Sequence, residues 1–289
     1  MLRIFLLTTA AMLAFAANSV LCRIALKGGH IDPLTFTFIR IFSGACVLAL
    51  LVSLSTLRRR PASSTPGNAA RAFEGSWLGA IALCGYAVTF SLAYVDMDAG
   101  PGALILFAAV QFSMLAFGFI RGERLDILGT IGLVLSLISL AVLLLPGSTA
   151  PPLTSAILMF TAGMAWAGYT LHGRRARSPA AATAGNFIRA VPLALVLTLP
   201  FLPALSWDAV GMGYAILSGA GTSGLGYVIW YCVVQLMTVT RAGIVQLSVP
   251  VLSALAGALW LHEPLTLRVV LSSVGVLSGV AIVLMAKER

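Results

Sequence analysis

Ten apolar stretches, each long enough to cross a bilayer, fill most of this 289-residue chain. A helix needs about 20 apolar residues to traverse the hydrocarbon. The stretches fall at 4–26, 33–55, 75–95, 99–120, 126–145, 152–172, 180–203, 209–236, 240–261 and 266–286. Barrel strands would alternate over about 10 residues. These runs are continuously apolar, so they read as helices whose backbone groups are satisfied within each segment. Hydrophobic residues make up 60% of the chain and charged residues 9%, too little polar surface to cover a soluble domain of this size. The fold class that follows is an all-α polytopic membrane protein with ten transmembrane helices. Arg3 followed by an apolar run and the triplet Ala14-Phe15-Ala16 also resembles a secretory leader. The run is taken as a span, because its removal would break the repeat described below.

Basic residues orient the spans. With the amino terminus inside, the cytoplasmic side collects Arg3, Arg58, Arg59, Arg60, Arg71, Arg121, Arg124, Arg174, Arg175, Arg177, Arg241, Lys287 and Arg289. The opposite side collects Arg23, Lys27 and Arg268, while Arg40 and Arg189 fall within spans. This asymmetry places both termini in the cytoplasm, in a bacterial-type inner membrane. The net charge of +9 is therefore a topology signal rather than a nucleic-acid footprint. The longest loop, from Arg58 to Phe73, is polar and rich in turn formers. No loop is long enough to fold alone, so any function resides in the bundle.

The two halves, 1–146 and 147–289, echo each other. Phe38-Ile39-Arg40 recurs as Phe187-Ile188-Arg189. Gly122-Glu123-Arg124-Leu125 precedes the fifth span and His262-Glu263-Pro264-Leu265 the tenth. Phe15 in the first span is answered by Trp166 in the sixth. A unit of five helices is odd, so its second copy inserts upside down. Five-plus-five inverted repeats place a site near the midplane and supply two related access states.

The Gly/His-Glu-x-Leu element before the last helix of each half resembles the EamA repeat of the drug/metabolite transporter superfamily. So do Pro250, the Phe15 and Trp166 positions, and ten helices in a chain of this length. Within that superfamily the chain looks most like the YddG-type aromatic amino-acid exporters. The resemblance implies an inner-membrane exporter of amino acids, metabolites or drugs. One departure is visible: the first half has Val110-Gln111 where the second has Pro250-Val251.

The residues themselves narrow the chemistry. Asp32, Glu74, Asp96, Asp98, Glu123, Asp126, Asp208, Glu263 and Glu288 all fall at span ends or in loops. A carboxylate deep in the membrane usually marks a proton or cation site, and none is expected here. His30, His172 and His262 are far apart, and Cys22, Cys46, Cys84 and Cys232 have no metal-ligand spacing. No metal, no cofactor and no enzymatic activity is expected. Glu123 and Glu263, each ahead of a helix, are read as caps of the helices they precede.

Intramembrane polar and aromatic groups carry the site. Asn18, Tyr86, Thr89, Gln111, Trp166, Tyr169, Tyr227, Trp230, Tyr231 and Gln246 need partners that lipid cannot supply, so they should face a central cavity. Arg40 and Arg189 lie about 10 Å from a span end by helical rise. Each is either a structural clamp snorkelling to the interface or a contact for a substrate carboxylate. Pro192 and Pro250 should kink their helices in mid-span. The expected function is secondary transport of small metabolites, chiefly neutral or aromatic amino acids, by alternating access. The expected partners are a small-molecule substrate and membrane lipid, with no nucleic acid and no obligate protein partner. The alternatives are a non-transporting membrane scaffold or small-molecule receptor, or a broad drug exporter of the same fold.

Overall fold

The computed structural model describes residues 2–59, 73–120, 126–145, 150–173, 176–237, 242 and 245–286. Glu123, Lys287, Arg289 and the arginines at 60, 71, 121, 124, 174, 175 and 241 lie outside the described residues. The described chain is helical, without a strand; one isolated bridge pairs Ile31 with Trp207. The helices are α1 (Leu2–Lys27), α2 (Pro33–Arg59), α3 (Trp77–Ala93), α4 (Ala99–Ile120), α5 (Ile127–Leu144), α6 (Leu153–Gly173) and α7 (Pro179–Thr198). They continue as α8 (Ala209–Val234), α9 (Ser248–Leu261) and α10 (Leu267–Ala286). Six of them are long and apolar enough to cross a membrane: α1, α2, α4, α5, α7 with its 3-10 extension, and α8. Trp77–Ala93, Ser248–Leu261 and Leu267–Val283 are apolar but shorter.

Local chemistry starts several of these helices. The side chains of Ser76, Asp126, Ser178 and Asp208 each accept a hydrogen bond from the amide three residues on, at Gly79, Gly129, Ala181 and Gly211. Asp32 does the same for Leu34 and Thr35, with Pro33 at the first helical position. Such caps satisfy amides that have no partner within the helix, and proline is pre-organised there because its missing N–H is not needed.

Large apolar side chains such as Ile127, Ile138, Leu267 and Leu271 are exposed on the outside of the bundle, and glycines stand at some of the closest helix contacts. Along the α5–α10 seam, a Cβ at Gly132 would approach the Gly279 carbonyl at 2.6 Å, and Ser136 Oγ donates to the Gly132 and Val276 carbonyls. Small residues let membrane helices approach this closely.

α1 packs against α8 and α9, α2 against α7 and α8, and α3 and α4 against α6. The two halves are thus interleaved. Within α8, Leu217–Leu225 is wound as a π-helix. Pro250 sits in the first turn of α9, just after a turn at Leu247. Residues 245–246 are helical as well, so the expected span is interrupted at Leu247 and resumes at Ser248, with Pro250 next to the break. Pro192 lies inside α7, which continues to Thr198 before tightening to a 3-10 turn at Leu199–Ala204.

Candidate functional site

Phe15, Asn18, Ser19, Tyr86, Phe90, Leu106, Phe107, Trp166 and Tyr227 enclose a small central cavity. They come from α1, α3, α4, α6 and α8. Its volume is about 10 Å³, room for one water at most. Phe15 is the hub, with Trp166, Tyr227 and Trp230 edge-on at 5.5, 5.9 and 5.7 Å between ring centroids. Trp166 and Tyr227 lie 4.7 Å apart. These are ordinary attractive aromatic distances, so the walls are in contact and the cavity is closed to any solute larger than water.

One wall is polar. The Asn18 side-chain oxygen accepts from Ser218, Thr222 and Ser223, at 2.7, 3.2 and 3.3 Å. All three hydroxyls lie on the π-wound stretch of α8. Three hydroxyls within six residues reach one acceptor, and π-helical segments commonly mark functional sites.

Arg40, 1% exposed, adjoins this wall. Its Nε donates to Ser223 Oγ at 2.8 Å, and its Nη2 to the hydroxyls of Tyr227 and Tyr86 at 2.8 and 3.2 Å. The guanidinium lies 5.2 Å from the Tyr86 ring centroid and 5.0 Å from that of Phe90. Its Nη1 has no hydrogen-bond partner among the described residues. Arg189 is placed differently: its Nη1 donates to the Gly185 and Glu74 carbonyls at 2.9 and 3.3 Å. The two arginines, equivalent in sequence, are therefore not equivalent in space. Arg189 is a clamp on backbone, and Arg40 belongs to the central polar cluster.

The cavity is closed at both ends of the bundle. One turn along α1 from Ser19, Arg23 binds the Glu263 carboxylate and Asp98, both at 3.1 Å, and the Tyr94 and Val95 carbonyls. The Glu263 carboxylate also accepts from the Ala99 amide at 2.8 Å. Glu263 thus caps α4, from the other half, and not α10 as its sequence position suggests. Burial pushes its carboxyl above the usual range, and nearby Asp98 adds to this; the Ala99 amide and Arg23 oppose it. Beyond this cluster a cavity of about 170 Å³ includes Asp98, Asp96 and Pro264. At the same end His30 Nδ1 lies 2.7 Å from Asp208 Oδ2. The Gly211 amide and His30 hold the exposed Asp208 carboxyl below its ordinary range.

At the other end Tyr231 donates to the Tyr169 carbonyl at 3.0 Å, and the two rings stack at 5.3 Å. Tyr169 in turn meets Trp166 at 5.5 Å. A Cβ at Gly173 would run into the Tyr231 ring. Gly173 itself borders a second cavity of about 260 Å³, with Glu74, Ser76, His172 and Asn186. There Asn186 Oδ1 accepts from the Ser76 amide at 2.9 Å, and Ser76 Oγ lies 2.8 Å from His172 Nε2.

Of the residues singled out from sequence, Asn18, Tyr86, Trp166 and Tyr227 line the central cavity. Tyr169, Trp230 and Tyr231 pack around it as fully buried aromatics. Gln111 and Gln246 are buried but outside the lining, and Gln246 Nε2 donates to the Ala242 carbonyl at 3.1 Å. Thr89 is also outside the lining, and its hydroxyl donates to the Gly85 carbonyl of its own helix at 2.8 Å. Cys22 and Cys84 are buried, whereas Cys46 and Cys232 are exposed. Ser218, Thr222 and Ser223 were not singled out, although a cluster of hydroxyls among glycines on one apolar span was the available signal.

The EamA-like transporter family profile matches residues 2–145 and again 153–285. An uncharacterized protein of Pseudomonas aeruginosa is 51% identical over 98% of this chain and 94% of its own. An uncharacterized transporter of Archaeoglobus fulgidus is 28% identical over 71% of this chain and 75% of its own. The uncharacterized transporter YoaV of Bacillus subtilis is 22% identical over 89% of each. One crystal structure superimposes with a TM-score of 0.69 over 99% of both chains at 18% identity, which shows a shared fold.

Proposed function

The chain belongs to the EamA-like transporter family, a multi-pass membrane transporter, and we propose that it is a secondary exporter of small amphipathic metabolites, amino acids among them. Its ten helices are spans in this reading, arranged as two inverted repeats of five, 1–146 and 147–289. Transport proceeds by alternating access in an inner membrane, with both termini cytoplasmic. The YddG-type aromatic exporters are the branch it would join. One observation carries the reading: the central cavity takes its walls from both family-matched segments, Phe15, Asn18 and Tyr86 from one and Trp166 and Tyr227 from the other. A site between halves becomes accessible to either side when one half moves on the other. An aromatic enclosure with one polar wall suits a solute with an apolar body and a polar end. The Arg23–Glu263–Asp98 cluster would close the outer side, and the Tyr231–Tyr169 stack the inner side.

In proteoliposomes, counterflow of labelled phenylalanine is expected. Trp166→Ala and Tyr227→Ala should each lower it about tenfold, equivalent to ~1.4 kcal/mol, while leaving membrane insertion intact. Full counterflow with unchanged selectivity in both variants refutes the site. Orientation has its own test. A single cysteine at position 65 should be reached by an impermeant thiol reagent only after the cytoplasmic face is opened, and labelling from outside intact cells overturns the ten-span topology.

A further inference from the structure

A buried charge is normally paired or coordinated, because removing it from water costs several kcal/mol. Arg40 departs from that rule. It is fully buried, yet among the described residues it forms no ion pair; its partners are three neutral hydroxyls and two ring faces. The Glu263 and Asp98 carboxylates are held by Arg23, one turn along α1 from the cavity-lining Ser19. At Nη1 the guanidinium is buried without a hydrogen-bond partner among the described residues. Tyr86, Phe90 and Tyr227, which touch the guanidinium, also line the central cavity. Among the described residues, the lining contains no acidic side chain. The cavity is therefore bordered, behind Tyr86, Phe90 and Tyr227, by one positive charge without an ion-pair partner among the described residues, and its described lining offers an ammonium group no carboxylate.

We infer that Arg40 is the carboxylate anchor of the transport site, so that substrates are recognised as apolar-bodied monocarboxylates whose amino group, where present, is dispensable. This rests on the transporter reading and names its substrate class. In the closed structure the hydroxyls of Tyr86, Tyr227 and Ser223 stand in for the carboxylate oxygens. When the cavity opens, a substrate carboxylate takes the guanidinium as a two-point ligand, the geometry to which arginine is best matched. Phe15, Trp166 and Phe90 surround the apolar body. An ammonium group entering the same enclosure loses water and finds only neutral acceptors such as the Asn18 oxygen. Arg189 has no such role, because its guanidinium is engaged by backbone carbonyls at the edge of the bundle.

Three near-isosteric probes separate the possibilities: 3-phenylpropionate, phenylalanine and 2-phenylethylamine. Thermal stabilisation of the purified wild-type protein in detergent is expected from both carboxylates and not from the amine. 3-Phenylpropionate should act at a concentration at least tenfold below that of phenylalanine. Arg40→Lys should keep a weakened preference for carboxylates, and Arg40→Gln should lose it. The wild-type ranking needs no variant, so the inference stays testable if Arg40→Gln does not fold. Stabilisation by the amine equal to that by the carboxylates overturns the anchor, as does stabilisation by none of the three. Counterflow in the same preparation reports separately on transport. Counterflow without charge preference leaves the transporter and removes the anchor. Carboxylate-selective binding without counterflow leaves the anchor and removes the transport mechanism.

Discussion

Gly219→Ala is expected to lower the stability of the detergent-extracted protein by about 3 kcal/mol, the upper end of ordinary overpacking. A Cβ there would run into the Arg40 carbonyl oxygen and the Ser43 hydroxyl on α2. The first obstacle is backbone and cannot rotate away. The α2–α8 contact would have to widen, pulling Ser223 from Arg40 and breaking the polar wall of the cavity. Gly221 is the control on the same π-wound stretch. Its nearest obstacle is Leu217 Cδ1 at 3.6 Å, an ordinary contact, so Gly221→Ala should stay within ~0.5 kcal/mol. Thermal unfolding followed by size-exclusion fluorescence compares the two. Equal midpoints would show that α2 and α8 are not packed through Gly219.

The second large effect belongs to Arg23. Its side chain is 7% exposed and that of Glu263 is 5% exposed. Removing the guanidinium strands a buried carboxylate and two carbonyls. Breaking a buried pair in this way costs on the order of 3–5 kcal/mol, so Arg23→Ala should be poorly folded at neutral pH. The pH dependence has a definite sign. The Glu263 carboxyl is already raised above its unfolded value by burial, and loss of Arg23 removes one of the groups opposing that shift. Stability linked to a raised carboxyl is fully present below the unfolded pKa and is lost as pH rises through the folded one. The defect of Arg23→Ala should therefore be larger at pH 8 than near pH 5. Adding Glu263→Gln should recover much of the loss, since the carboxylate then left without Arg23 is that of Asp98, which is 35% exposed and keeps contact with water. A pH-independent defect, or a double variant no better than the single one, would mean that the cluster is not the coupled unit described.

The helices were legible in the chain because each boundary is decided within a few residues. Apolar length marks the spans, and Asp32-Pro33, Asp126, Ser178-Pro179 and Asp208 supply caps whose acceptor lies three or fewer residues from its amide. The aromatic composition of the site was legible for a related reason. Asn18, Tyr86, Trp166 and Tyr227 are costly to present to lipid, so their identity alone directs them inward. Their function beyond that required partners distant in sequence.

Nothing local distinguishes Arg40 from Arg189, which occupy matched Phe-Ile-Arg triplets. The distinction arises because α8 brings Ser223 and Tyr227 to one of them, while the Glu74 backbone reaches the other. Glu263 sits where a helix cap would, yet its carboxylate crosses to Ala99, 164 residues away along the chain. Thr89 has the polarity of a cavity residue and spends its hydroxyl on its own helix. Sequence by itself determined where the chain is helical, that it lives in lipid and which side chains must be buried, since those follow from transfer free energies and from bonds a few residues long. Which buried groups meet was decided only by the packing of the two halves. A hydrogen bond or ion pair is short-ranged, and its partner is set by how helices cross.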